Sequence, residues 1–243
     1  MQSLPTVLFE DESLIAFDKP SGLLTAPDGW DKGRIHLMAM IHQQISSAIF
    51  NIHRLDRETS GVLLCSKDKK SLDHLSSQFQ SRGVIKRYLA IIQGTLPKDE
   101  LTIRLPIAED KYQLGKMCIS RSLDKPCETF VKGIIRWRGY SLVEIFPKTG
   151  RTHQIRVHLA SQKCSVLADA LYGSGQGLLL SDIKTGYKHK KNEPERPLLG
   201  RLALHAESIT FTHPLTHQLQ TIHSPLPHDF EIAIKYLKRF AGM

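Results

Sequence analysis

An α+β fold is predicted for this chain by three features of its sequence. Strand-like runs such as "GVLLCS", "KRYLAIIQG" and "ETFVKGIIRWRGYSLVEIF" are interleaved with only a few helical stretches. No segment recurs with a period of about 20–50 residues, so repeat architectures are excluded. No flexible linker parts the chain into halves, and its 243 residues, 41% hydrophobic and 23% charged, are enough for a buried core. The chain therefore reads as one continuous domain over residues 1–243, with room for two lobes around a cleft, its sheet mainly antiparallel or mixed and flanked by helices.

Taken in order, "TVLFEDESLIAFDKPSG" is a hairpin turning at Asp11-Glu12 and ending in the rigid punctuation Lys19-Pro20-Ser21-Gly22. Leu37, Ile41, Ile45 and Ala48 recur at helical spacing, a strand starts at Gly61, and Leu72, Leu75 and Phe79 mark a second amphipathic helix. "KRYLAIIQG" follows as a strand, its β-branched and aromatic residues favouring the pleated surface. Residues 97–125 show no clear period. A long hairpin turns at Arg138-Gly139, "RTHQIRVHLASQ" opens a helix, and "RLALHAE" and "SITFTH" are two strands before a last helix around Phe230, Ile234 and Leu237. Residues 181–196, "SDIKTGYKHKKNEPER", are polar, basic and proline-punctuated, and predict a mobile loop that buries no core face.

The charge points to a partner. Lys and Arg number 33 against 24 Asp and Glu, a net charge of +9 with a sequence pI of 9.4. Such a balance favours a polyanion, nucleic acid ahead of an anionic membrane surface. No apolar run approaches the about 20 residues needed to span a bilayer, and the start "MQSLPTVLFEDESL" has no basic n-region or apolar h-region, so a cytoplasmic location is expected. Cys65, Cys118, Cys127 and Cys164 form no C-x-x-C pair, which argues against a zinc knuckle or a disulfide framework. "HPLTH", His213 to His217, contains Pro214 and cannot be the helix that would stack two ligands four apart; it reads as a turn, and no metal site is expected.

Three separated stretches combine a basic residue with a reactive or aromatic side chain where a turn meets a strand or helix. "HRLDRETSG" places Asp56 between Arg54 and Arg57, "IKRYLAIIQG" offers Lys86 and Tyr88, and "KTGRTHQIRVHLA" offers Arg151, His153 and Arg156. Asp56 in this setting is either an ordinary surface ion pair or a carboxylate kept ionised among bases that grip an anionic ligand. The stretch alone leaves both open. Tyr88 by itself would be core packing, and His53 and His153 are equally well read as structural hydrogen-bonders. The Lys19-Pro20-Ser21-Gly22 turn reads as scaffold bordering the site, and His205 as a buried structural residue.

In their order and form, "KPSGLL", "HRLDRETSGVLL", "KRYLAIIQG", "KTGRTHQIRVHLA" and "RLALHAESITFTHP" resemble the RluA-type family of RNA pseudouridine synthases, from about Val7 to His223. The resemblance implies that family's catalytic fold with a central RNA-binding cleft. It also implies isomerisation of uridine to pseudouridine in structured ribosomal or transfer RNA, without cofactor or metal. It makes Asp56 the catalytic carboxylate, Tyr88 the tyrosine that packs on the target base and is a candidate for proton removal at carbon 5, and Arg156 the basic partner of the aspartate. Arg54 takes the place of the arginine that fills the gap left by the flipped uridine. Arg57, Lys86, Arg151, Lys188, Lys190 and Lys191 are expected to meet RNA, and a monomer is expected.

Two departures stand out. Where the family has "PIxGD", this chain has "SVLAD", Ser165 to Asp169, which changes the expected shape of that loop. Many relatives carry a small N-terminal RNA-binding domain, whereas this sequence starts directly in the catalytic domain. RNA specificity is therefore expected from the catalytic face and the basic 181–196 segment. A non-catalytic RNA-binding protein and a nucleoside hydrolase-like enzyme are the competing readings, the first opposed by the presence of Asp56, Tyr88 and Arg156 together.

Overall fold

The structure, a computed structural model, describes residues 3–27, 35–120, 126–188 and 193–242. They fall into two compact units, Met1–Arg87 with His205–Pro225, and Tyr88–Leu204 with Leu226–Met243. In the first unit, β1 (Val7–Glu10) and β2 (Leu14–Lys19) form an antiparallel hairpin. The Asp11 carboxylate builds its turn by accepting the amides of Ser13 and Leu14, both at 2.8 Å. Helix α1 (Leu37–Gln44), the short β3 (Phe50–Asn51) and β4 (Ser60–Ser66) follow. All seven residues of β4 are buried, as expected of a strand covered on both faces. Helix α2 (Lys69–Gln80) is capped by Asp68, which accepts the Ser71 amide at 2.8 Å. Leu75 and Phe79 of α2 pack over Leu14, Val62, Leu64 and Phe211.

The chain passes into the second unit inside β5 (Ile85–Gln93). The residues without a clear period resolve into β6 (Glu100–Ile103), β7 (Ile107–Glu109) and β8 (Met117–Ile119), the last two pairing as a separate ribbon. The predicted long hairpin is present as β9 (Thr129–Trp137) and β10 (Tyr140–Pro147), turning at Arg138-Gly139. Antiparallel pairing gives the order β5-β10-β9-β6. Helix α3 (Gln154–Ser161) and the single turn α4 (Leu180–Ile183) come next, and α5 (His228–Phe240) closes the chain. Ile155 and Leu159 of α3 share a core with Phe230, Ala233 and Leu237 of α5 and with Val131, Val143 and Ile145 of the sheet.

Between α4 and α5 the chain returns to the first unit as β11 (Leu204–Thr212) and β12 (Leu219–His223), joined by the "HPLTH" turn. The first unit's sheet is mixed: β1-β2-β4 is antiparallel, whereas β11 runs parallel to β4. Gly61 is required there. Its φ is +116° and an added Cβ would lie 2.2 Å from the Ala206 carbonyl oxygen.

Three local expectations change. "RLALHAE" and "SITFTH" are parts of one strand, β11, because Glu207 and Ser208 remain paired rather than forming a turn. Helix α1 stops at Gln44, leaving Ile45 at 43% exposure, so the apolar spacing overran the helix. The 181–196 segment is not wholly a solvated loop. Ile183 is 1% exposed within the second unit's core, its carbonyl accepts from Arg138 at 3.1 Å, and Glu195 accepts the Ser181 amide at 3.0 Å. A single apolar residue in a basic context gave no periodicity to read.

Candidate active site

Asp56 sits in the loop between β3 and β4, half-buried, just ahead of a turn in which the Thr59 amide donates to its carbonyl at 3.1 Å. The loop is held by side chains of the "KPSG" turn and its neighbour. Lys19, fully buried, donates to the carbonyls of Pro20 (2.9 Å), Leu23 (2.7 Å) and Arg57 (3.1 Å). Ser21 donates to the Glu58 carbonyl at 2.7 Å, and Gly22 N–H to that of Arg57 at 2.9 Å. The buried Thr25 hydroxyl accepts the Leu55 amide and donates to the Leu55 carbonyl. A loop whose backbone groups are bonded on both sides of residue 56 fixes the carboxylate's position without using the carboxylate itself.

Around that loop, Arg54 and Arg57 are exposed, and Arg57 lies 3.2 Å from the neighbouring Glu58. His53 accepts the Leu64 amide at Nε2 (3.1 Å) and stacks on Phe79 at 5.4 Å. Burial, and next the charge of Lys86, push its pKa down to about 3, so it is a neutral structural acceptor. Lys86 stands 6.0 Å from the Phe79 ring centroid, and burial lowers its pKa to about 8. Below the strand, Ser60 Oγ lies 3.0 Å from His205 Nδ1, and His205 Nε2 lies 3.3 Å from the Ser224 carbonyl. That carbonyl needs a donor, which puts the proton on Nε2 and makes Nδ1 the acceptor of the Ser60 hydroxyl. His205 is buried and structural, as expected.

Tyr88, Arg151 and Arg156 belong to the second unit. Tyr88 lies on β5 opposite Ile145, partly buried against the core. Arg156, 4% exposed, grips Asp169 with both ends of its fork: Nε donates to Oδ2 and Nη2 to Oδ1, each at 2.7 Å. Asp169 Oδ1 also accepts the amides of Leu171 (3.0 Å) and Tyr172 (3.1 Å). The Tyr172 ring lies 5.1 Å from the Arg156 guanidinium carbon. Its hydroxyl accepts the Met117 amide at 2.8 Å and stands 2.8 Å from His153 Nδ1. Asp169 and Tyr172 thus immobilise Arg156, and Met117 and His153 fix Tyr172 in turn.

The turn ahead of α3 is closed by Gln154, whose side-chain oxygen accepts the Thr149 hydroxyl (2.7 Å) and the Arg151 amide (3.0 Å). Its amide donates to the Glu128 carbonyl and the Thr129 hydroxyl. Arg151 is left exposed, as is Lys188. Lys190 and Lys191 lie outside the described residues. The departure at "SVLAD" has a backbone consequence: Ala168, where the resemblance calls for glycine, adopts φ +60°.

Sequence reading missed Asp169 as the carboxylate clamping Arg156, and Tyr172 and Lys19 as positioning groups. The available signals were an aspartate followed by "ALYG" and a lysine inside a strand that is otherwise wholly apolar on its buried positions. Cys65 and Cys164 are buried, with thiols pushed up by burial to about 12 and about 11, and form no disulfide.

Compared with known proteins, residues 13–161 match the RNA pseudouridylate synthase family model. The ribosomal large subunit pseudouridine synthase D of Neisseria meningitidis serogroup B is 31% identical over 243 residues, covering 98% of this chain and 62% of that protein. The ribosomal large subunit pseudouridine synthase C of Escherichia coli K12 is 32% identical over 235 residues, covering 96% of this chain and 70% of that protein. This chain thus spans about two thirds of the length of these relatives. Among solved structures, human RNA Pseudouridylate Synthase Domain Containing 4 superposes with a TM-score of 0.70 at 23% identity, over 96% of this chain and 92% of that one. The α+β fold is shared at that distance.

Proposed function

The chain belongs to the RNA pseudouridylate synthase family, and from that premise we propose that it isomerises uridine to pseudouridine in RNA, with Asp56 as the catalytic carboxylate. The observation that carries the reading is the Asp56 loop itself: Lys19, Ser21 and Thr25 bond the backbone on both sides of residue 56, which is half-buried. An ordinary surface ion pair needs no such support.

A uridine stacked in RNA is out of reach, so the enzyme extrudes it and offsets the lost stacking with aromatic and cationic contacts. Asp56 assists cleavage of the bond between N1 and the ribose, as nucleophile or proton acceptor, and is competent only when ionised. The freed base turns and its carbon 5 bonds to the ribose carbon; the carbon-5 proton then leaves and N1 ends protonated, so nothing is released. Tyr88 packs on the base and is the candidate to take that proton. Arg156, held by its paired bonds to Asp169, is the basic residue assigned to the catalytic carboxylate. Arg54 meets RNA at the vacated position, while Arg57, Lys86, Arg151 and the lysines at 188, 190 and 191 contact phosphates. These groups act within a single catalytic domain that functions as a monomer.

The relatives' names specify the ribosomal large subunit, and its RNA is the proposed substrate, with transfer RNA as the second reading. The test is incubation of the purified chain with a transcript of each, followed by pseudouridine mapping and assay for free uracil. Pseudouridine at defined positions without uracil supports an isomerase; free uracil supports a hydrolase; binding alone supports a non-catalytic protein.

A further inference from the structure

The C-terminal helix and the α4 segment carry a second charged surface. A groove of about 650 Å³ runs along α5, floored by Leu142, Leu226 and Ile234 and edged by Lys235, Lys238 and Arg239, with Glu231 as its acid. Beside it, Phe240 has Arg239 stacked at 5.1 Å and Lys184 at 5.3 Å, and Lys184 also lies 5.8 Å from the Tyr187 ring. Among the described residues, none of Lys184, Lys235, Lys238 and Arg239 has a carboxylate partner. Elsewhere in the same unit, Arg104, Lys132, Arg136, Arg156 and Arg201 are paired with acids, whereas Lys98, Lys148 and Lys163 stand singly and form no such cluster around aromatic rings. Four uncompensated cations interleaved with partly exposed aromatic rings match the chemistry that binds a nucleic-acid backbone and stacks its bases.

The groove and the partner of Tyr88 lie at different places on β10. Tyr88 pairs with Ile145, and Leu142, three residues back along β10, points to the other face of the sheet. An RNA segment at Leu142 and α5 is therefore not the segment packed on Tyr88.

We propose that α5 and the α4 segment form a second RNA-docking surface, which holds a part of the substrate remote from the modified uridine. The inference rests on the proposed activity on a long structured RNA. Such a surface adds a second hold on a large substrate to that of the catalytic face.

The test compares the triple variant Lys235→Ala, Lys238→Ala, Arg239→Ala with wild type on two probes: a full-length large-subunit ribosomal RNA transcript and a short stem-loop containing one mapped target uridine. All three residues are exposed on a helix, where alanine preserves the fold. On the long RNA the variant should bind about tenfold more weakly in moderate salt, its log–log salt slope reduced by roughly 0.7–0.9 per lost phosphate contact. On the stem-loop, affinity and single-turnover rate should equal wild type. Unchanged affinity and slope on the long RNA would overturn the proposal and give the groove to a protein partner, as would equal losses on both probes. Binding is read separately from isomerisation, so a chain that binds through α5 yet forms no pseudouridine refutes the proposed activity and keeps the surface.

Discussion

Arg156 and Asp169 are joined by two parallel hydrogen bonds of 2.7 Å, with the pair shielded from solvent and the Tyr172 ring lying beside the guanidinium. A pair buried this deeply is poor evidence of net stabilisation, because desolvation opposes the attraction. It is good evidence of positioning, since removing one partner strands the other.

Arg156→Met should therefore destabilise the fold by about 3–5 kcal/mol and also lower the single-turnover rate severely at saturating RNA. Combining it with Asp169→Asn removes the stranded charge while the Asn oxygen still accepts the amides of Leu171 and Tyr172. The double variant should regain most of the stability, read from denaturant midpoints, and none of the rate. Recovery of both would make Arg156 purely structural.

Ala168 has φ +60°, a left-handed conformation that a Cβ disfavours. Ala168→Gly should raise stability by on the order of 0.5–1 kcal/mol, the relief of strain outweighing the added freedom of the unfolded chain. The check is a higher denaturant midpoint at an unchanged slope; a lower midpoint would show that the buried methyl group matters more than the backbone.

The departure at residues 165–169 was visible in the sequence, but its meaning was not. A one-dimensional reading shows alanine in place of glycine; only the fold shows that Asp169, one residue on, holds Arg156 thirteen positions earlier. Lys19 was similarly hidden, because a lysine in "DKPSG" looks like solvent-facing punctuation until three carbonyls converge on its ammonium group. The β4 and β5 strands, α2 and the β9-β10 hairpin were legible from their apolar patterns, and α3 from the turn that opens it. The β7-β8 ribbon was not, since three-residue strands carry no period, and the 204–212 strand was split because its polar Glu207 and Ser208 mimic a turn.

Lys86 titrates within an accessible range, its pKa lowered by burial from the ordinary 10.5 to about 8. The RNA contact proposed for it should weaken as pH rises through about 8, and Lys86→Met should abolish that pH dependence. The stability effect has the opposite sense. The unfolded chain holds this proton more tightly, so burial of the charged lysine opposes folding below about pH 8, and that opposition fades between about 8 and 10.5. Affinity and thermal midpoint measured at pH 7 and pH 9, wild type against variant, separate the two.

Tyr88→Phe keeps the ring proposed to pack on the base and removes the phenol. RNA affinity should stay near wild type while product formation slows at a step after the glycosidic bond breaks. An unchanged single-turnover rate would confine Tyr88 to packing.

In the proposed reaction Asp56 performs the chemistry and the rest of its loop only holds it in place. Asp56→Asn preserves shape and removes the charge, and the loop's bonds from Lys19, Ser21 and Thr25 do not involve the altered side chain. Single-turnover pseudouridine formation by the purified variant at saturating enzyme, with RNA affinity measured in parallel, is the most direct test. Loss of product with affinity close to wild type is the predicted result; pseudouridine formed at the wild-type rate would contradict the account.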